Sequence, residues 1–257
     1  MRYIKGFYMS LGMFCGIPLP FHIWDEKLTA VMVASLPLVG AIIGAVWWVA
    51  SSLLLNLNLP LVMISAILAL VPFFAAGFIH LDGYMDTSDA LLSRRNLEDK
   101  LRILKDPLVG AFAVVMLAVL FLLQFAAMYT IAQGGRYLLL LIIICVLSRS
   151  CSSMSILILR HMPISNYAAM LSHNKNSPCK AFVILTMLAS IALSFMFAGI
   201  LGLIVSLAVI LGYAAAMRTV YKNFKGVSGD LLGYSLVIGE LCGLIALALL
   251  QGVELWF

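Results

Sequence analysis

Charge is what this chain has least of. Only 11% of its 257 residues are Asp, Glu, Lys or Arg, 64% are hydrophobic, and the mean hydropathy is +1.11. A soluble domain carries about a quarter charged residues, so a chain this apolar cannot cover itself with polar surface in water. That excludes a disordered segment, a coiled coil and a nucleic-acid-binding domain. Cysteine is also sparse. Cys15, Cys145, Cys151, Cys179 and Cys242 are an odd set with no Cys-x-x-Cys spacing, which argues against a disulfide framework or a zinc site and for small buried hydrophobes. No Ser/His/Asp or Cys/His nucleophile arrangement is visible, and His22, His161 and His173 read as loop residues. A cleavable leader is not expected either. Met1 to Lys5 followed by the apolar Gly6–Gly16 stretch lacks a small-residue cleavage site, so it reads as a retained interfacial or re-entrant segment.

What is present is a series of long apolar runs. At about 20 residues per membrane-spanning helix, they predict an all-α, polytopic transmembrane bundle in one integral membrane domain. The expected spans are 29–55, 60–79, 108–132, 137–159, 180–197, 199–217 and 231–250, with a cytoplasmic Asp-rich segment at 80–107. Pro37 interrupts the first span, Pro72 lies in the second, and only Gly199 and Gly202 separate the fifth from the sixth. Gly40 and Gly44 form a Gly-x-x-x-Gly pair that either admits a neighbouring helix closely or is ordinary membrane glycine. Basic residues segregate. Arg2, Lys5 and Lys27, then Arg94 through Lys105, then Arg160, Lys175 and Lys180, then Arg218, Lys222 and Lys225 fall on one side, and Arg136 alone on the other. The positive-inside rule then predicts a cytoplasmic N-terminus, with the C-terminus across the membrane. The net charge of +5 is therefore mostly topology.

The acids are concentrated on that same cytoplasmic side. Asp82, Asp86 and Asp89 lie at i, i+4 and i+7, which on a helix at about 100° per residue places them within about 60° of one another. Three carboxylates on one stripe repel unless a cation sits between them, and Mg²⁺ takes hard oxygen ligands. A divalent-cation site is favoured over a solvated acidic face, because the aspartates continue an apolar span without interleaved lysines. His80 projects to the opposite side of an ideal helix, as a weak fourth ligand or a capping residue. The basic residues downstream, Arg94, Arg95, Lys100, Arg102 and Lys105, mixed with Glu98 and Asp99, read for the most part as a solvated helix that sets topology, while Arg94 or Arg95, close to the aspartates, is placed to clamp phosphate. Asp106 precedes Pro107 as a helix N-cap or faces the aspartate stripe.

The last cytoplasmic connection reads Lys225-Gly226-Val227-Ser228-Gly229-Asp230. Ser228 and Gly229 sit in a turn whose backbone N–H groups suit phosphate oxygens, and Asp230 is an N-cap, a further ligand or a base. Two charges fall inside spans, Arg149 and Glu240. Ionisable groups at that depth face the bundle interior. They either pair with each other, or Arg149 reaches an anionic substrate.

These residues also carry a resemblance. His80-Leu81-Asp82-Gly83 with Asp86-Thr87-Ser88-Asp89, and then Leu104-Lys105-Asp106-Pro107-Leu108-Val109-Gly110-Ala111-Phe112, is similar to the signature of the cobalamin synthase family (adenosylcobinamide-GDP ribazoletransferase). Gly16-Ile17-Pro18-Leu19-Pro20, Leu36-Pro37-Leu38-Val39-Gly40 with Gly44, Ser148-Arg149, and Val227-Ser228-Gly229-Asp230-Leu231-Leu232-Gly233 with Glu240 extend the likeness along most of the chain. Ala90, Lys225-Gly226 and the Met162–His173 loop depart from the family pattern. The resemblance implies the last stage of cobalamin nucleotide-loop assembly. A GDP-activated corrinoid reacts with α-ribazole or its 5′-phosphate, Mg²⁺ is held by Asp82, Asp86 and Asp89, and GMP is released. It implies Asp106, Asp230 or His80 as base or further ligand. Arg94, Arg95, Lys105, Arg149, Ser228, Gly229 and Glu240 are implied around the substrates. The partners are those small molecules and the lipid bilayer of the cytoplasmic (inner) membrane, with the active site on its cytoplasmic face; a homo-oligomer is left open. The alternatives are another Mg²⁺-dependent membrane phosphotransferase of the CDP-alcohol phosphotransferase or prenyltransferase kind, and a cation transporter using Arg149 and Glu240. No inverted repeat supports the transporter.

Overall fold

The computed structural model describes residues 1–162 and 177–256, and these are all-α. The helices are α1 (Arg2–Phe14), α2 (Thr29–Ala34), α3 (Leu36–Leu54), α4 (Leu61–Ala76), α5 (Ile79–Leu92), α6 (Leu97–Ile103), α7 (Ala111–Gly134), α8 (Leu140–Ile158), α9 (Ser177–Phe224) and α10 (Gly229–Trp256). Most of the loop expected to depart from the family pattern lies outside the described residues. Among the described residues, five helices (α3, α7, α8, α9 and α10) are long and apolar enough to cross a membrane, and α4 qualifies only together with α5.

Burial ranks these helices. In α8 and α10, 67% of the most apolar window is buried, against 28% in α7 and α9. The first pair is thus the centre of the bundle and the second its wall. Leu122 on α7 and Leu185, Leu188 and Met196 on α9 turn outward, as side chains facing lipid do. α10 packs along α9, α5 and α7, while α8 packs against α3 and α9. The α3–α8 contact is what Gly40 and Gly44 make possible. A Cβ on Gly40 would stand 2.5 Å from Cys145 O, and one on Gly44 2.5 Å from Ile142 Cα. That pair is helix-packing glycine.

Two breaks shape the site and the span count. Pro37 does not break a helix from within: α2 ends at Ala34, with Ser35 as its C-cap, and Pro37 sits in the first turn of α3, where its missing N–H has no partner to lose. The run expected to span as 60–79 is shorter, because α4 stops at Ala76. Gly77 (φ 68°) and Phe78 (φ 64°) both enter the left-handed region and turn the chain through 98° into α5. α5 thereby runs across the bundle instead of continuing the span, and its aspartates lie outside the apolar run. Within α9, Gly199 has φ 56° and ψ −134°. Ser194 Oγ lies 2.8 Å from Ser206 Oγ, twelve residues on, whereas a straight helix would separate them by about 18 Å. The run therefore folds back on itself at Gly199. At the N-terminus, α1 has 13 residues, about 20 Å of helix, short of the roughly 30 Å hydrocarbon core. It buries Met9 and Phe14 against the bundle.

Candidate active site

The site forms where α5 crosses the start of α10. The crossing is tight because position 83 is glycine: a Cβ there would lie 2.8 Å from Asp230 Cα and from Asp230 O. Tyr84 and Tyr234, one from each helix, stack with centroids 5.5 Å apart at 12°. The Tyr84 hydroxyl donates to Met116 O of α7 at 3.2 Å. This aromatic pair, Tyr84 buried and Tyr234 half-buried, lies beside the acidic cluster, and the sequence offered no signal for its pairing beyond two tyrosines in apolar surroundings.

The crossing gathers four carboxylates. Asp82 is exposed, while Asp86, Asp89 and Asp230 are half-buried. Burial first, then Asp82, Asp230 and Asp89, push the Asp86 carboxyl up from the usual range to about 6. Among the described residues the ion pairs are Arg102–Asp99 and Arg149–Glu240, so no Lys or Arg neutralises the cluster. Asp89 turns to the start of α7, where any side chain at Gly110 would overlap its carboxylate, so the negative charge sits at the positive end of that helix. No three described His, Cys, Asp or Glu side chains stand close enough together to hold an ion by themselves, so the aspartate stripe is not a closed three-ligand set. Its donor chemistry nevertheless fits Mg²⁺, which keeps several waters and takes one or two carboxylates directly.

Beside the cluster opens a cavity of about 390 Å³. Asp82, His80, Lys105, Ser228, Gly229 and Asp230 all line it, opposite an apolar wall that includes Phe14, Trp24, Leu36 and Met162. Ser228 begins α10, its Oγ 3.5 Å from the Leu231 N–H and its carbonyl accepting from Leu232 N at 3.1 Å. The first turn of α10 thus faces the cavity. His80 is buried, stacked on Phe14 at 6.1 Å, and its Nε2 finds no partner among the described residues.

Other expected site residues lie elsewhere. Asp106 is exposed and its Oδ1 accepts from Leu108 N at 3.0 Å. It closes the Pro107 turn, and Gly110 is the N-cap of α7 instead. Arg94 (φ 53°) and Arg95 are exposed beyond the end of α5 and do not line the cavity. Arg149 and Glu240 meet each other. The guanidinium, 1% exposed, donates to Glu240 Oε1 and, at 3.2 Å each, to Cys145 O and Ser148 Oγ; Ser148 Oγ donates to the same carboxylate at 2.9 Å. Neither residue lines the cavity. Lys100, one of a basic run that reads as solvated in the sequence, is buried and donates to Asn223 Oδ1 of α9 at 2.7 Å, tying the α6 wall of the cavity to the bundle.

The profile described as cobalamin-5-phosphate synthase matches residues 6–248. The chain belongs to the cobalamin-5-phosphate synthase family. Relatives named adenosylcobinamide-GDP ribazoletransferase include one from Clostridium botulinum (strain Alaska E43 / Type E3), 35% identical over 95% of this chain and 97% of its own length. Another, from Clostridium perfringens (strain ATCC 13124), is 36% identical over 96% and 99%. A third, from Listeria monocytogenes serotype 4b, is 31% identical over 97% and 100%. No solved structure matches the chain significantly. The family match spans every element that builds the cavity, from α1 to α10.

Proposed function

We propose that this member of the cobalamin-5-phosphate synthase family is a membrane-embedded adenosylcobinamide-GDP ribazoletransferase. It joins the GDP-activated corrinoid to α-ribazole or its 5′-phosphate and releases GMP. The observation that carries the site is the crossing of α5 over α10, which puts Asp82 and Asp230 on one cavity with Lys105, Ser228 and Gly229.

A ribose hydroxyl of the acceptor attacks the phosphorus bonded to the corrinoid side chain. The bond from that phosphorus to the bridging oxygen breaks, GMP departs with that oxygen, and the hydroxyl proton passes to a carboxylate. Asp230, which lines the cavity with Asp82 at the start of α10, takes that proton. Lys105 Nζ and the N–H groups opening α10 hold phosphate oxygens. The apolar wall keeps water from competing with the acceptor. At about 390 Å³ the cavity suits a nucleoside-sized acceptor, and the far bulkier corrinoid stays at its mouth. Asp82, Asp86 and Asp89 would hold Mg²⁺, which when bound supplies charge neutralisation for the departing nucleotide.

The fold-back at Gly199 supports counting α9 as two spans, for seven in all, with the N-terminus, the basic loops and the site on the cytoplasmic face of the inner membrane. Reporter fusions at the two ends then fall on opposite sides. The activity is tested by adding adenosylcobinamide-GDP, α-ribazole and Mg²⁺ to the full-length protein in vesicles and measuring cobalamin and GMP. A folded sample that makes neither refutes the assignment, and turnover that survives EDTA refutes the Mg²⁺.

A further inference from the structure

Behind the α6 wall lies a second, smaller pocket of about 200 Å³. Leu101 and Met162 line both it and the main cavity, so the two are neighbours. Its polar lining is wholly basic or imidazole: Arg160, His161 and Lys225. Arg160 and Lys225 are exposed and His161 is half-buried, so the recess they line is open to an incoming anion.

The three residues are also held in place. Val227 N donates to Arg160 O and Met162 N to Val227 O, each at 3.0 Å, forming the isolated parallel bridge between His161 and Val227. Lys225 follows the last residue of α9 with φ 61°, a left-handed conformation that glycine adopts without strain and lysine does not. Neither Arg160 nor Lys225 has a carboxylate within ion-pair distance among the described residues. His161 Nε2–H donates to Ile156 O at 2.9 Å, leaving Nδ1 buried and without a described partner. Two cations without a described carboxylate partner, carried on main chain that these bonds fix, suit a compact anion.

We propose that Arg160 and Lys225 form a phosphate subsite, with His161 as part of its wall, that holds a non-reacting phosphate of a substrate lying in the main cavity, while Lys105 serves the reacting one. The inference rests on the ribazoletransferase reading. Two sources share this chemistry, the 5′-phosphate of α-ribazole 5′-phosphate and the nucleotide phosphate of the activated corrinoid.

The test is steady-state kinetics of the full-length protein in vesicles with α-ribazole, α-ribazole 5′-phosphate and adenosylcobinamide-GDP, for wild type, Arg160→Gln, Lys225→Gly and Lys225→Arg. Lys225→Gly removes the charge while relieving the backbone, so it folds at least as well as wild type. The expected result is a KM raised about 10- to 100-fold for a phosphorylated substrate, the scale of one lost charge-assisted contact, with kcat nearly unchanged. Lys225→Arg keeps most of the wild-type KM. A rise confined to α-ribazole 5′-phosphate names the acceptor's phosphate as the occupant; a rise for adenosylcobinamide-GDP with either acceptor names the corrinoid's nucleotide. Unchanged KM values, or an equal fall in kcat with every substrate, overturn the subsite. Absence of turnover in the wild type overturns the underlying activity instead, so the two failures are distinct.

Discussion

Glu240→Gln removes one charge from the centre of the bundle and almost nothing of its shape. It leaves the charge of Arg149, 1% exposed, with only neutral acceptors among the described residues: the amide oxygen that replaces the carboxylate, and Cys145 O and Ser148 Oγ at 3.2 Å each. Breaking a buried pair from one side costs about 3–5 kcal/mol, and the remaining neutral acceptors place this case near the lower bound, about 3 kcal/mol. For a chain of this size that is a fall of about 6–12 °C in unfolding temperature. Replacing both partners with apolar residues of similar volume, Arg149→Met with Glu240→Leu, leaves no buried charge behind, so most of the loss is recovered. The assay is thermal unfolding in detergent alongside substrate KM, for both single variants and the double. Glu240→Gln unfolding within about 2 °C of wild type while KM for a phosphorylated substrate rises about tenfold refutes the reasoning. It would mean that Arg149 serves the substrate and not the pair.

Gly83→Val drives a branched side chain into the Asp230 backbone, 2.8 Å from where even a Cβ would sit. Separation of α5 from α10 should lower kcat at least tenfold, a loss of about 1.4 kcal/mol of transition-state stabilisation, while circular dichroism still reports helix. Asp86 carries its proton more tightly in the folded state, with its carboxyl raised to about 6. The metal-free protein therefore loses stability as pH rises from the ordinary carboxylate range through about 6. Mg²⁺ should raise the unfolding temperature at about pH 7.5 and do little at about pH 5, and Asp86→Asn should abolish both effects. A Mg²⁺ increment independent of pH, or retained in Asp86→Asn, counts against the cation reading. Gly199→Ala places a Cβ on a residue at φ 56° and ψ −134°, a region open essentially to glycine alone, at a cost of about 1–3 kcal/mol. Its unfolding temperature in detergent should drop accordingly.

The acidic stripe was legible because helix periodicity places Asp82, Asp86 and Asp89 on one side from spacing alone. Asp230 was legible only as a candidate. Its arrival beside Asp82 depends on the 98° bend at Gly77 and Phe78, and a left-handed phenylalanine has no sequence signature. The same limit explains Arg94 and Arg95. Proximity along the chain suggested phosphate contact, but α5 ends in a turn that carries them away from the cavity while Lys105, further on, comes back to it. Lys100 read as one of a solvated basic run because its partner Asn223 lies 123 residues away.

Hydropathy by itself determined that this chain is all-helical and apolar enough for an integral membrane protein. Those properties depend only on the cost of placing each residue in hydrocarbon, which is local and additive along the sequence. Which acids meet, that Arg149 pairs with Glu240, and that Arg160, His161 and Lys225 share a recess were decided by tertiary structure alone. Such pairings are set by how helices bend and cross, and those angles follow from packing between residues far apart in the chain.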